Sequence, residues 1–392
     1  MSWPIVVEKG SPKHRLWQVA GYGLVVATIL WIAFRMENYQ ILNFANVAAY
    51  SVAILGLMLI IGYSGQISIG QSFFFGLGAY ATAYLGVNHH WNFLLTLPVS
   101  AALGFAIGFI VGIPALRIRG LYLALVTLAL AAVFPVMVKF QALHDITGGA
   151  NGKPADSIIW KNPSWTPGNL SNQAWQFLVL SAIGAVMFLL ASNMMKSRPG
   201  RSVVALRDSE VGAAVSGVWP AGWKVGAFAI SAAYGAVGGS MLVFVVRIAA
   251  PETGGFTTAI ALLTGAVIGG LGTISGSVIG ALVVTFVPYF TSDFMSGGGL
   301  LFIPSSSTPR HFWFFSEGDG PILASALYGA LLIAVVFVMP GGIAYFVRLM
   351  RSKLIRFVPK LPDVSAVRGD APTPAELAPA GATHQLQGGE PT

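Results

Sequence analysis

Apolar runs of membrane-crossing length recur along almost the whole chain. They fall at 16–34, 41–61, 72–87, 94–114, 120–140, 175–195, 223–246, 257–271, 274–292 and 321–340. A helix rises 1.5 Å per residue, so about 20 apolar residues cross a hydrocarbon core of ~30 Å. The runs at 72–87, 257–271 and 274–292 are short or interrupted by glycine. The expected fold is an all-α polytopic membrane protein with about ten transmembrane helices. Composition agrees: only 9% of the 392 residues are charged, against about 25% in soluble domains. The chain has no cysteine, which excludes disulfides, thiol catalysis and cysteine-ligated metals. Its net charge of +8 reads as membrane topology rather than nucleic-acid binding.

The first run follows Lys9, Lys13 and Arg15, and no small-residue cleavage site follows it, so it is expected to be a retained span. Starting inside, ten crossings bring both termini to the cytoplasm. Sixteen of the 22 basic residues then lie inside; Arg35, Lys139, Lys153, Lys161, Arg247 and Arg310 lie outside. That bias obeys the positive-inside rule. The expected organisation is a cytoplasmic N-terminal segment 1–15, a transmembrane domain 16–346 and a cytoplasmic, mostly disordered tail 347–392. Within the domain, 141–174 is an external loop and 196–222 a cytoplasmic one. Acidic residues and histidines all fall in loops or tails, which argues against a proton relay through the membrane. Sodium coupling through backbone carbonyls stays open.

Two stretches break the membrane pattern. In "GYSGQISIGQSFFFGLGAY" (62–80), glycines and the polar residues Gln66, Ser68 and Gln71 interrupt a hydrophobic run around Gly70. Such a break is either a discontinuous helix beside a solute path or a plain turn between spans. "RSVVALRDSEVGAAVSGV" (201–218) concentrates Arg201, Arg207, Asp208 and Glu210 in the cytoplasmic loop. Val204, Val211, Val215 and Val218 share one stripe if the stretch is a single helix, and Gly217 with Pro220 closes it. A mixed-charge amphipathic helix suits docking into a protein groove better than lying on lipid, where Lys and Arg usually dominate one face.

Glycines at 104, 108 and 112 repeat every four residues, as do Gly265 and Gly269 and then Gly272, Gly276 and Gly280. Both sets are expected to form smooth helix faces for close packing. "TGGANGK" (147–153) departs from a phosphate-binding loop, because Pro154 stands where Ser or Thr is needed. No catalytic cluster and no metal site is evident.

"GYSGQISIGQSFFFGLGAYATA", "PALRIRGLYLALVTLALA", "TGGANG", "SRPGRSVVALRDSEVGAAVSGV", "GGLGTISGSVIGA" and "VMPGGI" occur in this order over roughly residues 40–345. The set resembles permease subunits of branched-chain amino-acid ABC importers, of the LivM type. The resemblance implies the fold of the branched-chain and simple-sugar ABC permease superfamily, in the bacterial inner membrane. It implies four partner chains: a second, LivH-like permease, two ATP-binding subunits that use ATP and Mg, and an external solute-binding protein. This chain would bind no cofactor, catalyse no reaction and contact the lipid bilayer but no nucleic acid. The cytoplasmic stretch, with Arg201, Val204, Arg207, Asp208, Glu210, Val211, Val215 and Gly217, would be the ATPase-coupling helix. The solute path is expected at Gln66, Ser68, Gly70 and Gln71, together with Thr147, Gly148, Gly149 and Asn151. Urea and short-chain amide permeases share much of the pattern; an ion-coupled carrier or channel is the remaining alternative.

Overall fold

Helix dominates the structure because apolar segments in hydrocarbon must hydrogen-bond their own backbone. The computed structural model describes residues 5–8, 12–118, 120–158, 171–295 and 341–358, with positions 326, 329, 330, 333, 334 and 337. In chain order the elements are β1 (Ile5–Glu8), α1 (Pro12–Arg35), α2 (Asn38–Leu57), α3 (Gln71–Asn88), α4 (Phe93–Ala115) and α5 (Leu121–Val138). There follow α6 (His144–Thr147), β2 (Lys153–Pro154), α7 (Asn172–Lys196), α8 (Arg198–Asp208), α9 (Glu210–Val215) and α10 (Pro220–Val246). The last are β3 (Ile248–Ala249), α11 (Phe256–Gly269), α12 (Gly276–Met295), α13 (Ile343–Leu354) and β4 (Ile355–Val358).

Among the described residues, five helical stretches are long and apolar enough to cross a membrane: Asn38–Tyr63, α4, α5, α7 and α10. Gly23–Arg35, α11 and Gly276–Phe290 are shorter apolar helices. The expected span 72–87 is α3, which Gln71, Tyr80, Tyr84 and Asn88 make less apolar than the five. The expected span 321–340 and the stretch 293–320 lie largely outside the described residues, as does most of the tail. Within that tail, residues 347–358 form the end of α13 and β4.

The chain divides into two compact units. The smaller comprises Met1–Gly23 and Arg351–Thr392, and in it β1 runs parallel to β4, with Ile5 opposite Ile355. The larger, Leu24–Met350, is the helical bundle. Of the five membrane-length stretches, Asn38–Tyr63 and α10 are the most enclosed. Small residues make the approach to α10 possible. α4 buries only Phe93, Thr96, Ser100, Gly104, Gly108 and Gly112, a stripe recurring about every four residues. It leaves Leu95, Phe105, Ile110 and Ile113 exposed. This arrangement, small inside and large outside, is what helices surrounded by lipid adopt, because close backbone packing rather than water exclusion holds them together. A Cβ on Gly104 would stand 2.7 Å from the Cβ of Ala236 on α10. Gly78 of α3 faces the Ala236 carbonyl, and Gly239 of α10 faces the Phe75 carbonyl.

The second glycine series is not one helix face. α11 ends at Gly269, the chain turns, and α12 begins at Gly276. Gly265 and Gly280 face each other across the resulting helical hairpin, as do Gly269 and Gly276. Gly272 lies in the turn at φ +78°, packed against Gly62. Its expected role in helix packing is thus corrected to a turn role. The extra turn residues absorb the spacing that made the glycines look continuous.

Candidate functional site

The polar interruption after α2 is a real break. α2 continues as a π turn, Met58–Tyr63, and Gly65 at φ +71° ends it. The backbone is not helical again until Gln71 opens α3. Ser64, Ser68, Gly70 and Gln71 are buried, while Gly65 and Ile67 are exposed. The break is tied to its surroundings by hydrogen bonds. Ile69 N donates to Thr127 Oγ1 of α5 at 2.9 Å, and a Cβ on Gly70 would meet the Thr127 carbonyl at 2.7 Å. Gln66 Nε2 donates to Ser64 Oγ at 2.6 Å and to the Lys224 carbonyl at 3.2 Å.

Gln71 is a brace rather than a side chain aimed at open space. Its Nε2 donates to the Ala53 carbonyl at 3.2 Å and the Ser231 carbonyl at 3.0 Å. Ser231 Oγ, with a single proton, lies 2.8 Å from the Gly56 carbonyl and 3.1 Å from Gln71 Oε1. One amide thereby joins α2, α3 and α10. An unpaired amide here would carry its full desolvation cost, so the pairing is what permits burial.

The other expected path segment is also internally satisfied. Thr147 Oγ1 lies 2.7 Å from the Val138 carbonyl and 2.9 Å from the Leu143 carbonyl, and it accepts from Gly149 N at 3.2 Å. Gly148, Gly149 and Gly152 all have positive φ, and Asn151 is exposed. Thr147 borders an apolar cavity of about 320 Å³ between α3, α4, α5 and the 141–147 segment, lined also by Tyr80, Tyr84, Leu103 and Phe134. The two path segments are not brought together. One meets α5 at Thr127 and the other at Val138; eleven helical residues separate these by about 16 Å.

The 201–218 stretch is two helices, not one. Ser209, extended at φ −158° and ψ 111°, separates α8 from α9, and its hydroxyl caps α9 by accepting from Gly212 N at 3.1 Å. Ser at an N-cap starts a new helix by satisfying its first free amide. The expected valine stripe is therefore broken. Val203 and Leu206 of α8 are buried and Val204 is half-buried, whereas Val211 and Val215 of α9 are 76% and 85% exposed. Trp219, absent from the sequence expectation, is 72% exposed next to them. Arg201 donates to the Lys196 carbonyl at 3.3 Å, Asp208 is exposed, and Gly217 takes φ +82° at the turn after α9.

Arg207, expected at the edge of the docking stripe, and Glu210, expected to project away from it, both bond to other parts of the bundle, although Arg207 stays exposed. Arg207 Nη1 donates to the Gly62 carbonyl in the π turn. A Cβ on Gly65 would lie 3.1 Å from Arg207 Cγ. Glu210 pairs with Lys224 of α10 at 2.7 Å. The sequence carried no signal for either contact: Arg207 reaches back 145 residues, and Glu210 crosses the Gly217–Pro220 turn. Trp219, by contrast, was findable as a large aromatic beside the exposed valines.

Residues 40–336 match the family described as "Branched-chain amino acid transport system / permease component". The high-affinity branched-chain amino acid transport system permease protein LivM of Escherichia coli is 28% identical over 307 residues, covering 74% of this chain and 71% of LivM. LivM of Salmonella typhimurium is 27% identical with the same coverage. The permease protein LivH of Escherichia coli is 23% identical over 266 residues, covering 64% of this chain and 83% of LivH. No solved structure matches the chain.

Proposed function

We propose, from the premise that this chain belongs to the family of permease components of branched-chain amino acid transport systems, that it is the membrane-spanning subunit of an ABC importer for branched-chain amino acids. Proteins of this family are permeases and not themselves enzymes. The observation that carries the importer reading is α9. Val211 and Val215, four residues apart on α9, are exposed, as is Trp219 after the turn, while Arg207 and Glu210 on either side of Ser209 hold the segment to the bundle. A short helix fixed at its back and apolar in front suits a groove on another protein. Separate ATPase chains would supply the groove and use ATP with Mg²⁺.

The similarity of this chain to both LivM and LivH supports a pair of related permeases, this chain being the LivM-like member. An external binding protein would deliver the solute. The reading places the chain in the bacterial inner membrane, with about ten spans and both termini in the cytoplasm. The break at Gly62–Gln71 would lie beside the solute path. Assembly of this chain with its partner subunits in vesicles tests the reading. Uptake of leucine, isoleucine and valine that requires ATP is the expected result. Uptake without ATP would make the chain a carrier or channel, and ATP-driven uptake of urea in place of amino acids would reassign the solute.

A further inference from the structure

Two links run from the cytoplasmic segment to the break, one from each side of Ser209. From α8, the Arg207 guanidinium donates to the Gly62 carbonyl. From α9, Glu210 holds Lys224 at 2.7 Å, and the Lys224 carbonyl accepts from Gln66 Nε2 at 3.2 Å. Both end within residues 62–66. We propose that Arg207 and Glu210 are positioning residues that transmit movement of α8 and α9 to the Gly62–Gln71 break; the proposal rests on the reading of α9 as the ATPase-docking element.

Three features support this over simple packing. First, the receiving element has slack. A π turn carries an extra residue in its hydrogen-bonded ring and is rarer and less favourable than α-helix, so Met58–Tyr63 can tighten or loosen at modest cost. Gly65, at φ +71°, allows a backbone change just beyond it. Second, the contact is close on every side. Gly62 packs against the Gly272 backbone, and Gly65 packs against Arg207. A larger residue at any of these glycines would hold the guanidinium away from the carbonyl. Third, Gly62 lies in the last turn before the break, where carbonyls run out of intrahelical donors. A guanidinium there meets both an acceptor and the negative end of the helix dipole. Rotating α8 without shifting the end of α2 would break a charge-assisted bond.

The test uses the assembled transporter in vesicles, with Ile67→Cys as reporter. Ile67 is 44% exposed within the break, and the chain has no other cysteine. The rate of thiol labelling at residue 67 of this chain is measured with and without ATP and vanadate, alongside co-purification of the ATPase subunits. In the parent, ATP is expected to change the rate several-fold. In Arg207→Ala and in Glu210→Lys the change is lost although ATPase subunits still co-purify. Arg207→Lys, which keeps charge and donor, recovers part of it, and adding Lys224→Glu to Glu210→Lys recovers it by reversing the pair. A full ATP-dependent change surviving in Arg207→Ala or Glu210→Lys overturns the proposal. So does a parent whose labelling ignores ATP while ATPases remain bound. A parent that holds no ATPase subunit overturns the permease reading beneath it. If Arg207→Ala does not reach the membrane, the Glu210 and Lys224 variants decide the matter alone.

Discussion

Gln71 sits at 3% exposure among apolar helices, and it does so because its amide has partners on two of them. Replacing it with leucine keeps a similar volume and removes every one of those bonds. A lost bond that leaves a buried partner unsatisfied costs about 1–3 kcal/mol. Gln71→Leu is expected to lower the thermal midpoint of the purified protein and the amount recovered from membranes. Gln66→Leu, half-buried with its bonds at the rim of the break, should change the midpoint much less. Equal midpoints for the two variants would remove the bracing role assigned to Gln71. The polar pair was legible in the sequence as an interruption. Which of the two is a brace was not, because Ser231 and Ala53 approach Gln71 only when α2, α3 and α10 assemble.

At the scale of elements, the 196–222 loop carries the sharpest revision. Helical periodicity drew one stripe through Val204, Val211, Val215 and Val218, but Ser209 caps a second helix on which Val211 and Val215 are exposed. Periodicity assumes an unbroken helix; a capping serine inside the stretch was the signal against it. Val211→Asp with Val215→Asp places carboxylates on the exposed patch and touches nothing buried. If the patch docks an ATPase, the pair should lose about 2 kcal/mol or more of binding, roughly a 30-fold weakening. The expected outcome is loss of ATPase co-purification with normal membrane insertion. Retained co-purification would leave α9 without a docking role.

The bundle as a whole invites a test of orientation. If, as proposed, the 196–222 loop is inside and 141–158 outside, cysteines placed singly at Asp208 and Asp156 should behave oppositely. Both positions are exposed, and the chain supplies no background thiol. In intact cells an impermeant thiol reagent is expected to label Asp156→Cys and to spare Asp208→Cys until the membrane is opened. The reverse pattern would invert the topology. It would also remove α9 from the compartment where ATP is available.

Membrane character, helical class, the interruption at 62–71 and the family resemblance were all determined by the sequence alone. Each follows from local terms: apolar length, charge frequency, glycine spacing and ordered motifs act within a few residues of one another. Only tertiary structure decided how the interruptions are used. It split the glycine series into a hairpin with Gly272 in its turn, and it tied the two path segments to α5 eleven residues apart, at Thr127 and Val138. It also bonded Arg207 and Glu210 to Gly62 and Lys224. Those outcomes depend on which groups meet across a hundred residues or more, or around a turn. A carbonyl or charge takes the partner that folding brings within reach, and no local pattern names that partner in advance.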